Sequence, residues 1–148
     1  MRKPKVYIDN CCYNRPYDDQ TQLRIEIETK AKLHIQERIT DDGLTLVSSL
    51  MLEYENNDNP YPVRKMVIKD FLGHASEYVD KSDDILSIAR EINSKGVKVK
   101  DSAHLASAIH SKCDYFLTTD DKLLKYKDDK ICIINPVDFI KLEDDENE

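Results

Sequence analysis

Asp101-Ser-Ala-His-Leu-Ala-Ser-Ala-Ile109, followed by Tyr115-Phe-Leu-Thr-Thr-Asp-Asp121, is the stretch that decides the fold. Its first part predicts a helix over 101–111 that opens on an acid, and its second a short strand over 115–118 that ends on an acid pair. Val6-Tyr-Ile8 near the start repeats the second pattern, a β-branched and aromatic run bounded by Pro4 and followed at once by Asp9-Asn10. In a parallel sheet with crossover helices, helix N-termini and strand C-termini meet on one side. Acids at these positions therefore converge on one crevice.

Working outward, strands and helices alternate. Leu23, Ile27, Ala31, Ile35 and Ile39 recur every four residues and predict a long amphipathic helix, stopped by Asp41-Asp-Gly43. Leu44 to Val47 reads as a second strand, with Ser48 or Ser49 able to cap a short helix that carries Glu55. Val63 to Leu72 predicts another helix, and Tyr78-Val79 a small strand. A helix opened by Ser82 or Asp83 and closed by Gly96 comes next, then the stretch quoted above, a short helix over 122–126 and a final strand over 131–134. The alternation predicts an α/β chain: a three-layer α/β/α sandwich around a central, mostly parallel sheet.

A chain of 148 residues suits one domain, large enough to bury about 68–70% of its unfolded surface. Hydrophobic residues at 40% and charged residues at 34% are ordinary for a water-soluble fold, and three glycines leave no room for a Gly-rich phosphate loop. The net charge of −7 comes from 22 basic and 29 acidic residues, five of the acids lying in Glu143-Asp-Asp-Glu-Asn-Glu148. That run reads as an acidic, unstructured tail over 143–148, which leaves a nearly neutral body over 1–142. The four cysteines include no C-x-x-C pair, so a zinc site is not expected. With neither an apolar leader nor a membrane-length run, the expectation is a cytoplasmic protein with reduced thiols and no membrane contact.

Each acid alone has a plain structural explanation. Asp9 suits a strand-to-loop turn, Asp101 and the pair Asp120-Asp121 suit helix caps, and Glu55 suits a solvated helix face beside Glu53. Gathered in one cleft they would repel one another, and a hard divalent cation relieves that repulsion while promoting attack of water on a phosphodiester. The order of segments resembles the PIN-domain nucleases: Val6-Tyr-Ile-Asp9-Asn10, Ser48-Ser49 through Glu55, Asp101-Ser-Ala-His-Leu-Ala106, and Leu117-Thr-Thr-Asp-Asp121. The similarity runs from Lys5 to about Phe139.

The resemblance implies a PIN-like domain that binds Mg2+ or Mn2+ and hydrolyses RNA, in many members as the toxin of a type II toxin–antitoxin pair. It implies Asp9, Glu55, Asp101 and Asp121 as catalytic acids. Asp9, Asp101, Asp121 and Asp120 would ligate the metal; the Thr-x-Asp spacing favours Asp121 over Asp120, and distance from Ser49 favours Glu55 over Glu53. It also implies an antitoxin partner and a homodimer. Asn10, Arg15, Lys100 and Lys122 flank the acids as candidates for contact with substrate, against a solvated charged rim as the plain alternative. His104 shares a helix face with Asp101 and reads as a packed or hydrogen-bonded core histidine. A phosphatase using Asp9 as nucleophile would need a second aspartate at position 11, where Cys11 stands. The remaining alternative is a noncatalytic RNA- or partner-binding domain on the same fold.

Overall fold

The computed structural model describes residues 2–147. The chain runs β1 (Lys5–Ile8), α1 (Asn10–Asn14), a 3-10 turn over Arg15–Tyr17, α2 (Leu23–Thr40), β2 (Thr45–Ser49), α3 (Leu50–Asn57) and α4 (Pro62–Leu72). It continues through β3 (Glu77–Val79), α5 (Asp83–Ser94), α6 (Val99–His110), β4 (Tyr115–Leu117), α7 (Asp121–Lys125), β5 (Cys132–Ile134) and α8 (Pro136–Asn147). All strand pairs are parallel, in the order β3-β2-β1-β4-β5.

Val6, Tyr7, Ile8, Leu46, Val47, Phe116 and Leu117 are almost wholly buried. That is why the central strands read as continuous apolar runs and not as alternating ones: helices cover both faces. With this strand order, the right-handed crossovers that parallel units adopt put α1 to α4 over one face and α5 to α7 over the other. Helix α8 packs back on α2. From β1 the chain passes first to β2 on one side and later reaches β4 on the other. The switch point of the sheet, where such folds open a crevice, therefore lies between β1 and β4. Tyr7 and Phe116 stack there at 5.3 Å.

Three sequence expectations shift. Helix α6 begins two residues before Asp101, so this acid sits inside the first turn. The four-residue row on α2 is not one face, because each step of four advances about 40° around a helix. Leu23 and Ile27 are exposed accordingly, while Ile25, Ala31, Ile35 and Ile39 are buried. The acidic run beginning at Glu143 is not an unstructured tail through Asn147 but the end of α8. Asn135 Oδ1 accepts from the Val137 amide at 2.9 Å, Pro136 presets the first turn, and Glu143 pairs with Arg38 at 3.2 Å. Glu148 lies outside the described residues.

Candidate active site

Asp9 ends β1 and caps α1: Oδ1 accepts from the Asn10 amide at 2.8 Å, and Oδ2 accepts from the Thr118 hydroxyl at 2.9 Å. Cys11 Sγ approaches the same Oδ2 at 3.4 Å. The carboxylate is buried, and its pKa is held well above the usual range by desolvation first, then by the neighbouring Cys11 and Asp101 charges. The Cys11 thiol is lowered to about 6, mainly by a hydrogen bond from Cys12.

Three more acids reach the same crevice from separate elements. Asp101 comes from the first turn of α6, and no hydrogen bond ties its carboxylate among the described residues. Burial and then the nearby Asp120 raise its pKa. Asp120 caps α7 through Oδ1, which accepts from the Lys122 and Leu123 amides at 2.9 and 3.3 Å. Glu55 stands on α3, whose N-terminus is capped by Ser49. Asp9, Glu55, Asp101 and Asp120 line one cavity of about 410 Å³, together with Asn10, Arg15 and Lys100.

Glu55 is held from behind. His104 Nε2 hydrogen-bonds Glu55 Oε1, and His104 Nδ1 lies 2.6 Å from the Tyr7 hydroxyl, which in turn lies 2.6 Å from Ser49 Oγ. Burial works to raise the Glu55 pKa, but the hydrogen bond and charge of His104, with Lys100 beyond, outweigh it and the pKa is lowered. An ionised Glu55 only accepts, so Nε2 carries the proton and donates. The second hydrogen bond of the ring runs between Nδ1 and the Tyr7 hydroxyl. This is the hydrogen-bonded core histidine the helix spacing suggested.

Asp121 stands elsewhere. Its carboxylate receives Arg24 Nη1 and Nη2 at 2.9 and 2.8 Å, is largely exposed, and does not line the acid cavity. The hydrogen bonds from Arg24 lower its pKa. Side chains of adjacent helical residues diverge by about 100°, and once Asp120 turns inward to cap α7, Asp121 faces out to Arg24. The geometry therefore brings Asp120, and not Asp121, into the acid cavity. Glu53 is exposed and borders a different cavity. Among the basic candidates, Arg15 lines the acid cavity, but its guanidinium is committed to the buried Glu28 at 2.5 Å and to Asp18 at 3.2 Å. Lys122 lies off this cavity, and Lys100 lines it.

Sequence reasoning missed the brace formed by Glu28, Arg15, Arg24 and Asn135 beside the site. The i,i+4 pair Arg24–Glu28 on α2 was the available signal. Thr118, donor to Asp9, left none beyond its place before the acid pair.

The side-chain donors that the four acids offer around the cavity are all carboxylate oxygens. Among the described residues no three His, Cys, Asp or Glu side chains already stand close enough to enclose an ion. The acids instead surround an open cavity, and among the described residues no Lys or Arg side-chain nitrogen lies within 4 Å of the Asp9, Asp101 or Asp120 carboxylate oxygens. All-oxygen ligands with space between them suit a hard ion that keeps part of its water shell, as Mg2+ does.

No family model matches the sequence, and no curated protein is detectably similar to it in sequence. Solved structures do match the fold. VapBC2 from Rickettsia felis, bound to a DNA fragment from their promoter, gives a TM-score of 0.59 at 14% identity over 88% of this chain and 98% of that one. DNA-bound VapBC from Salmonella typhimurium gives 0.59 at 14% over 90% and 98%. FitAcB from Neisseria gonorrhoeae gives 0.56 at 15% over 88% and 97%. At such identities the likeness establishes a common fold, and the PIN-like architecture expected from the motif order is the one observed. Among the described residues no helix is long and apolar enough to cross a membrane.

Proposed function

We propose that the chain is a Mg2+- or Mn2+-dependent endoribonuclease that acts as the toxin of a type II toxin–antitoxin pair. One observation carries the reading: four carboxylates from β1, α3, α6 and the β4–α7 junction line one cavity, and three of them lack a basic partner within 4 Å among the described residues. Leaving such charges unpaired is costly unless a cation joins them. Asp9, Asp101 and Asp120 would hold it. When bound, a divalent cation supplies Lewis acidity at a phosphoryl oxygen and neutralises developing charge. Glu55, oriented by His104, accepts a hydrogen bond and then a proton from the water that attacks phosphorus. The P–O bond to the leaving oxygen breaks as the new P–O bond forms, and the leaving oxygen takes its proton from solvent.

The solved VapBC and FitAcB structures supply the reason to propose an antitoxin partner. A second copy of this chain is proposed as a further partner. The nuclease test is direct. With Mn2+ the protein is expected to cleave a single-stranded RNA, to stop when the metal is chelated, and to lose cleavage on Asp9→Asn or Asp101→Asn with folding intact. RNA binding without any cleavage under these conditions would instead make this a noncatalytic binding domain.

A further inference from the structure

A second cavity, of about 480 Å³, opens next to the acid cavity, and Asp101 and Asp120 line both. Its rim carries Lys95 and Lys98 from the α5–α6 connection, Lys122 and Lys125 from α7, and Lys127 just beyond. The floor is apolar: Val97 and Leu123 are buried there and Tyr126 is half-buried.

These lysines are unusually free. The ammonium groups of Lys98, Lys122 and Lys125 have no carboxylate within 4 Å among the described residues, and that of Lys95 has only Glu91 at 3.7 Å. In the acid cavity, by contrast, Arg15 is consumed by Glu28 and Asp18. The two flanks thus differ in kind. One is basic but neutralised, the other basic and open. The open flank is also fixed to the acids, because Lys98 caps the helix that carries Asp101, and Lys122 and Lys125 ride the helix capped by Asp120.

We propose that this lysine cavity binds the backbone phosphates of a single-stranded nucleic acid, on one side only of the bond to be cleaved. The inference rests on the nuclease reading for what happens at the acids, but the cavity's own chemistry stands apart from it. Free ammonium groups on mobile stems suit successive phosphates. Tyr126 and the apolar floor suit unpaired bases turned inward, which a duplex keeps stacked inside itself. An acidic peptide is the weaker fit, since it offers no bases to stack on Tyr126 and the apolar floor.

The experiment measures anisotropy of a labelled single-stranded oligouridylate bound to the full chain, in chelator, across a salt series. The wild type is compared with K98Q/K122Q/K125Q and with K30Q/K81Q/K141Q, which removes equal charge from other surfaces. Three lost phosphate contacts are expected to flatten the slope of log affinity against log salt by about 2, at roughly 0.7 per contact. Affinity should fall at least tenfold for the cavity variant while the remote variant stays near wild type. Equal loss in both variants, or no change in the cavity variant, would overturn the proposal. So would an oligoglutamate peptide that outcompetes the RNA for the wild type alone. Metal is absent throughout, so failure of the wild type to cleave with Mn2+ bears on the nuclease reading and leaves this result untouched.

Discussion

At the scale of single residues, the site is defined by which acids are left without a partner. Asp120→Asn should lower Mn2+-dependent cleavage by more than the roughly 10–100-fold typical of an outer-shell group. Asp121→Asn should cost only a few-fold, since it releases Arg24 and nothing at the metal. Initial rates at saturating Mn2+ decide between them, and a dead Asp121→Asn beside an active Asp120→Asn would reverse the assignment. The sequence could not make this choice. Spacing counts residues, whereas the choice is made by the cap on α7 and by an arginine 97 positions away. Asp9 gives a second test. Its raised pKa means that the metal-free native state holds a proton the unfolded chain has lost at the same pH. The contribution of Asp9 to stability should then be greatest below the ordinary value of 3.8 and fall as pH rises through the raised one. Asp9→Asn should flatten that decline in thermal melts without metal, and an unchanged pH profile would count against a strained Asp9.

At the scale of elements, the site depends on a buried wire joining β1, the start of α3 and α6, from Ser49 through Tyr7 and His104 to Glu55. His104 is a positioning residue in this arrangement. His104→Asn should lower kcat about tenfold or more with little change in KM, and should add nothing further in a Glu55→Gln background. Additive losses would mean that His104 acts elsewhere. Strands and caps were legible in advance because their signals are local: Ser49 and Ser82 each accept an amide three residues on. The buried face of α2 was misread because a period of four drifts from a pitch of 3.6. The same helix hides Lys32, buried against the Tyr13 and Phe71 rings and lowered to about 8 by desolvation. Helix α8 was missed although Asn135-Pro136 is an ordinary helix start; a cluster of acids at its end was read as solvated chain, when packing of Phe139 against Tyr115 at 4.9 Å anchors it.

For the whole molecule, the sheet order places the switch point between β1 and β4, and that topology rather than any one motif brings distant acids together. The exposed residues Val63, Met66 and Val67 share a face of α4 by their i,i+3 and i,i+4 spacing, which suits burial against a second chain. Light scattering should give twice the 17.2 kDa of one chain, and Val67→Glu should return the single-chain mass with an unchanged melting temperature. A wild type at 17.2 kDa would dismiss the dimer. The central claim is that the unpartnered carboxylates form one metal centre, and isothermal titration of Mn2+ tests it most directly. The wild type should bind with heat that disappears in Asp101→Asn and Asp120→Asn alike while Asp121→Asn keeps it; Mn2+ affinity unchanged in the first two variants would contradict the account.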